Sequence, residues 1–209
     1  MSVQLVTRRT QQERRENSRR KLINAATRLF GTRGYSGTTM VEIGREAGVS
    51  HGLVTYHFGT KKGCIKAVIE DIQIATSRHN DGQLTGQRGL ASLDRVCEFY
   101  LRASTADQPV ALRAICVAIT ESISATPELK ELTAENDYMF RQAIIRALTE
   151  AAEDGEITSA VDVETHAVLI VGLLRGVVLQ HMVNNSAVKL DSIIPAVIAM
   201  ARVSLSEPS

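Results

Sequence analysis

Apolar residues return along this chain with a helical period, and no stretch shows the two-residue alternation of a strand. From Asn17 or Ser18 to about Arg33, Leu22, Ile23, Ala26, Leu29 and Phe30 fall at i, i+1, i+4, i+7 and i+8, lining one face of a helix. Gly34 suits the left-handed position after that helix, with Tyr35 meeting Phe30 as the hydrophobic pair of a Schellman ending. Thr39-Met40-Val41-Glu42 has the form of a capping box and opens a short second helix ending at Glu46 or Ala47. Gly48 supplies a tight turn, and Val49 drops into the core beside Ile43. Ser50 then caps a third helix reaching Phe58, anchored by Val54 and Phe58 four residues apart. Gly59-Thr60 breaks the chain, and Thr60 can cap a fourth helix that begins with Lys61-Lys62 and continues to about Arg78.

Beyond a turn-rich loop at His79–Gly89 the pattern predicts five more helices. They cover Leu90–Ala103, Pro109 to near Ser124, Pro127 to Glu153-Asp154-Gly155, Val163–Asn184 behind an Asp162 cap, and Asp191 or Ser192 to near Val203 with Pro195 in the first turn. The Val163–Asn184 helix is apolar nearly all round. Arg175 near its middle, followed by Gln180-His181, would be costly in lipid, so the pattern predicts burial against its own domain and a second subunit. Gly172 and Gly176, one turn apart, allow close helix approach. The fold class is therefore all-α, with an N-terminal three-helix unit followed by a helical-bundle C-terminal domain.

Charge divides the chain into two parts. Residues 1–66 carry 13 Lys/Arg against 4 Asp/Glu, net +9, and the remaining 11 against 19 give −8 for residues 67–209. A basic head sits on an acidic body. Residues 1–16, with Arg8, Arg9, Arg14 and Arg15 and no apolar period, read as a flexible basic arm, residues 17–66 as the head proper and residues 67–209 as the body. Cys64, Cys97 and Cys116 have no metal or disulfide spacing, and His166 and His181 stand too far apart to share an ion, so no metal or cofactor is expected. The N-terminal apolar run is too short for an export signal, which leaves a reducing cytoplasm as the expected compartment. No GxSxG, HExxH or phosphate-cradling glycine loop is present, so no catalytic residues are assigned and an enzyme is not expected.

The second and third helices, joined by a glycine turn, form a helix-turn-helix pattern on the basic head, which points to double-stranded DNA. Two lysines at a helix N-terminus oppose the helix dipole but suit a phosphate held between them and the free amides. The order Thr39-x-x-Glu42-Ile43, Ala47-Gly48-Val49-Ser50, Tyr56-His57-Phe58 and Lys61 resembles the DNA-binding domain of TetR-type transcriptional regulators over roughly residues 18–68. That resemblance implies DNA contacts from Thr39 and Val41 at the start of the second helix, from Ser50, His51, Gly52, Leu53, Thr55, Tyr56 and His57 in the recognition helix, and from Lys61. The chain departs from the family's usual residues at Leu53, Thr55 and Gly63. Physically, Leu53 can meet a thymine methyl and His51 can donate to a purine acceptor.

The resemblance further implies a homodimer formed through the last two helices and a repressor released from a near-palindromic operator by a small-molecule effector; the cost of Arg175 in lipid excludes a membrane partner. In the body, polar or aromatic groups recurring within apolar helices mark candidate effector contacts: Phe99 and Arg102, then Arg113, Cys116 and Glu121, then Tyr138 and Arg141, then His166 and Arg175. Cys116 with Arg113 is also a candidate redox sensor. The residues leave two rival readings open, a non-specific architectural DNA-binding protein and a helical ligand-binding protein with a relic head.

Overall fold

The computed structural model describes residues 10–83, 87–104 and 110–205, with backbone only at 79–83. Among them are nine α-helices and no strand: α1 (Gln11–Arg33), α2 (Met40–Ala47), α3 (His51–Phe58), α4 (Lys61–Gln83), α5 (Gly89–Arg102), α6 (Val110–Ile123), α7 (Lys130–Glu153), α8 (Val163–Val183) and α9 (Leu190–Val203). A short 3₁₀ turn, Pro127–Leu129, leads into α7.

The first helix begins well before Asn17. Thr10 and Glu13 form a reciprocal capping box, in which the Glu13 amide donates to Thr10 Oγ1 at 3.2 Å and the Thr10 amide to Glu13 Oε2 at 2.7 Å. Residues 11–16 are therefore helical rather than a flexible arm, and residues 1–9 of the expected arm lie outside the described residues. The exit from α1 also differs from a Schellman ending. Gly34 has the expected positive φ of 78° but an extended ψ of 172°, because the next amide, that of Tyr35, donates to the Glu121 carboxylate instead of back to the helix. Phe30 and Tyr35 still pair, their rings stacked at 5.8 Å.

Further along the chain, three boundaries shift. The helix expected to stop near Arg78 runs on to Gln83, since each residue added to an existing helix gains a backbone bond that outweighs the low propensity of Asn80, Asp81 and Gly82. Pro109 lies outside the described residues, and Pro127 takes the first position of the 3₁₀ turn rather than of α7. Because α9 starts at Leu190, Pro195 falls in its second turn, where the ring removes one backbone donor.

Two apolar clusters organise these helices. The head cluster gathers Leu22, Ile23, Leu29 and Phe30 of α1, Ile43 of α2, Val54 of α3, and Cys64, Ile65, Val68 and Ile69 of α4. It also takes in Ala114 and Ala118 of α6, Leu129 and Leu132, so the head's core is completed by the body. Gly31 sits where a Cβ would come within 2.5 Å of the Val110 carbonyl, which lets α1 and α6 meet backbone to side. The body cluster is built from α5 to α9, with Leu93, Leu101, Ile144, Leu148 and Leu174 fully enclosed. Helix α4 spans both parts without a break at residue 66, and its Gln73 amide donates to Asn136 of α7 at 3.1 Å.

Candidate nucleic-acid interface

The helix-turn-helix is set by three local devices. Thr39 and Glu42 form a second capping box, with the Glu42 amide donating to Thr39 Oγ1 at 3.2 Å and the Thr39 amide to Glu42 Oε2 at 2.9 Å. The bonds from Thr39 hold the Glu42 carboxyl below its usual range, and the Arg33 guanidinium adds to the effect at 2.9 Å. Gly48 adopts the left-handed conformation, φ 69° and ψ 33°, at the end of α2. Ser50 then caps α3 by accepting from the Leu53 amide at 3.4 Å. Gly44 completes the arrangement, since a Cβ there would stand 3.1 Å from Val54 Cγ2 and 3.0 Å from the Val49 carbonyl. Val54 is the buried anchor of α3, while Phe58 and Val49 pack half-buried against the same core.

The opposite side of the motif faces solvent. Thr39, Ser50, His51, Gly52 and Thr55 are exposed, Val41 is 61% exposed and Tyr56 is 66% exposed. Leu53 and His57 are half-buried at the margin of this face. Lys61 is placed differently from the other expected contacts. Its ammonium donates to the Tyr35 carbonyl at 3.0 Å and lies 4.3 Å from the centre of the Tyr35 ring, so it ties the start of α4 to the turn before α2. Thr60 caps α4 through the Gly63 amide, at 3.0 Å, as its position suggested.

Arg15 and Arg19 were missing from the sequence-derived set. One helical turn apart on α1, they place guanidinium groups 5.6 Å from the Tyr56 ring and 6.0 Å from the Phe58 ring. Their spacing of four was the available signal, hidden because Arg15 falls in the expected arm and Arg19 in the helix beyond it. Between the two rings, His57 Nε2 is buried with no partner among the described residues. Burial, aided by Arg15 and Arg19, lowers the His57 pKa and keeps the ring neutral.

The head is held to the body at the turn after α1. Glu121, half-buried on α6, accepts from the Tyr35 amide at 3.1 Å, the Ser36 amide at 2.9 Å and the Ser36 hydroxyl at 2.8 Å. Glu121 therefore stands in the head–body joint. The other effector candidates scatter. Arg102 pairs with Glu98 and Asp191, Arg113 is exposed, Tyr138 is 54% exposed, and Phe99 is half-buried on α5. His166 bridges the Asp162 and Ser204 carbonyls. Among the described residues, Cys116, Arg141 and Arg175 are drawn together around Tyr100 and Asp137. The redox-sensor reading of Cys116 is not favoured by this setting, because burial raises the thiol pKa and Arg113 stays in solvent. Burial likewise pushes the Cys64 and Cys97 thiols up to about 12.

Comparison with known proteins bears on both parts of the chain. The model for bacterial regulatory proteins of the tetR family matches residues 22–68, and that for the C-terminal part of BetI-type transcriptional repressors matches residues 90–202. A relative, the HTH-type transcriptional regulator BetI of Burkholderia thailandensis, is 39% identical over 69 residues, which is 31% of this chain and 35% of that protein. The probable HTH-type transcriptional regulator ArpR of Pseudomonas putida is 26% identical over 183 residues, 83% of each chain. Among solved structures, the transcriptional regulator FadR of Bacillus subtilis in complex with stearoyl-CoA superposes with a TM-score of 0.77 at 18% identity, covering 87% of this chain and 96% of that one. Motif, fold and family matches over both parts agree: this chain belongs to the TetR family of bacterial transcriptional regulators.

Proposed function

We propose that the protein is a homodimeric repressor that holds a near-palindromic operator through two copies of α3 and leaves it when a small molecule occupies the body. The observation that carries this reading is the solvent-facing side of α2 and α3, which presents His51, Gly52, Thr55, Tyr56 and Val41 on a head of net charge +9. Phosphate neutralisation by the basic head supplies affinity, and side chains at the N-terminal part of α3 supply base readout.

A second subunit has a surface to occupy. Val168, Leu169, Leu179 and Val183 of α8 and Met200 and Val203 of α9 are exposed apolar residues, and a Cβ at Gly172 or Gly176 would meet nothing within 4 Å. An apolar, small-residue face of this kind on two adjacent helices suits isologous pairing with its own copy. It also accounts for the composition of α8, which alone among the described helices is long and apolar enough to cross a bilayer. Its Arg175 is instead paired with Asp137 inside the body. In this reading the protein works in the cytoplasm, where the operator is.

Light scattering on the purified chain tests the pairing. The wild type should have the mass of two chains, and Leu169→Glu with Leu179→Glu should halve it and abolish cooperative operator binding. A monomeric wild type that still binds a two-fold operator cooperatively would contradict the dimer.

A further inference from the structure

Where the body helices converge, one polar cluster interrupts the apolar packing. Asp137 of α7 offers one carboxylate oxygen to Arg141, one turn along the same helix, and the other to Arg175 of α8. The Tyr100 hydroxyl of α5 lies within electrostatic reach of both Arg175 and Cys116 of α6, and its ring stacks on Phe140 of α7 at 4.6 Å. Four helices thus contribute to one site. Two guanidinium groups face a single carboxylate, a local excess of one positive charge inside a body whose net charge is −8.

The cluster is not internally complete. Arg175 Nε is buried and has no hydrogen-bond partner among the described residues, and both Asp137 oxygens are already engaged. A buried cationic N–H without an acceptor is costly, and an anion is what removes that cost. The side chains of Arg175, Asp137 and Arg141 keep 20%, 22% and 31% exposure, so the site can be reached from outside.

We propose that this cluster is an anion seat, taking the carboxylate of a small organic acid at Arg175 and Arg141 while the acid's apolar part packs on the Tyr100–Phe140 pair. A carboxylate accepts in the plane of a guanidinium fork and leaves the net charge of the site at zero. A quaternary ammonium would add a positive charge where one is already in excess. The inference rests on the reading that the body holds an effector, and it names that effector's chemical class. Cys116 lies five residues before Glu121 on α6, so an acid seated at Tyr100 and Arg175 acts on the helix whose far end grips the head.

The test uses the full chain, melted by fluorimetry with benzoate, phenylacetate and octanoate, with their three primary amides, and with choline and benzyltrimethylammonium. A parallel titration follows the Arg175 Nε–Hε cross-peak, assigned by its loss in Arg175→Lys. At least one carboxylate should raise the melting temperature where its amide does not, move that cross-peak downfield, and bind about tenfold or more weakly to Arg175→Gln. Arg175→Lys should restore part of the loss, and if Arg175→Gln does not fold the wild-type titration decides alone. An amide that matches its acid, a cross-peak that no carboxylate moves, or a cation that binds best would overturn the anion seat. A cation that binds best and also releases operator would do so while leaving ligand-released repression standing. If no member of a broad compound library releases operator, ligand release itself fails.

Discussion

Glu121 and Ser36, 85 positions apart, are joined twice: the carboxylate accepts from the Ser36 amide at 2.9 Å and from its hydroxyl at 2.8 Å. The same carboxylate takes the Tyr35 amide, so the turn entering the DNA-binding motif is fastened to a body helix as well as to the head's own α1. Removing the acceptor leaves the turn's donors to water and frees the head to change its angle. Glu121→Ala should lower stability by about 1–3 kcal/mol and weaken operator binding, with Glu121→Gln between it and the wild type. Thermal melting and a band-shift titration measure both, and an Ala variant identical to wild type in each would remove Glu121 from the joint.

Lys61 donates to the Tyr35 carbonyl from the start of α4, so it has a structural task beside any phosphate contact. Lys61→Ala should therefore lower the melting temperature, by about 1 kcal/mol of stability, and weaken all DNA sequences alike. If the ammonium also meets a phosphate, the slope of log affinity against log salt falls by about one. A changed melting temperature with an unchanged slope would confine Lys61 to the turn.

His57 gives the head a pH dependence with a definite sign. Its folded pKa is lowered, chiefly by burial, so protons bind more readily to the unfolded chain. The stability tied to its neutral ring is complete above the unfolded pKa of about 6.5 and is lost as pH falls through the folded value. Melting curves taken downwards from neutral pH should show this loss in the wild type and less of it in His57→Gln. Equal slopes in the two would reject the assignment.

Base readout is expected from the exposed N-terminal part of α3. Replacing His51 or Leu53 should relax selectivity at one position in each half-site, costing about 1–3 kcal/mol on the preferred sequence. Arg15→Gln, beside Tyr56 on α1, should weaken all sequences without changing their order. Competition among duplexes varied at single positions separates the two behaviours, and a His51 variant that weakens every duplex equally would move that residue to backbone contact.

Much of the head was readable from local chemistry. The Thr39–Glu42 box, the Gly48 turn and the Ser50 cap each depend on residues within a few positions, and the apolar face of α1 follows from period alone. The capping box at Thr10 and Glu13 has the same form as that at Thr39, yet it precedes ten residues without an apolar period, so patterning gave it no support. What the sequence could not show is long-range. Glu121 looked like an effector contact because its partners, Tyr35 and Ser36, lie in another part of the chain. Asp137 drew no notice as one of many acids, and only packing of α7 against α8 sets it between two arginines.

Selection of bound duplexes from a random DNA pool, with the purified chain at near-physiological salt, tests the central claim most directly. The account predicts a two-fold-related motif with half-sites about one helical turn or a little more apart, altered at one position per half when His51 or Leu53 is replaced. Binding without enrichment, erased simply by raising salt, would contradict it and leave the chain a basic architectural protein.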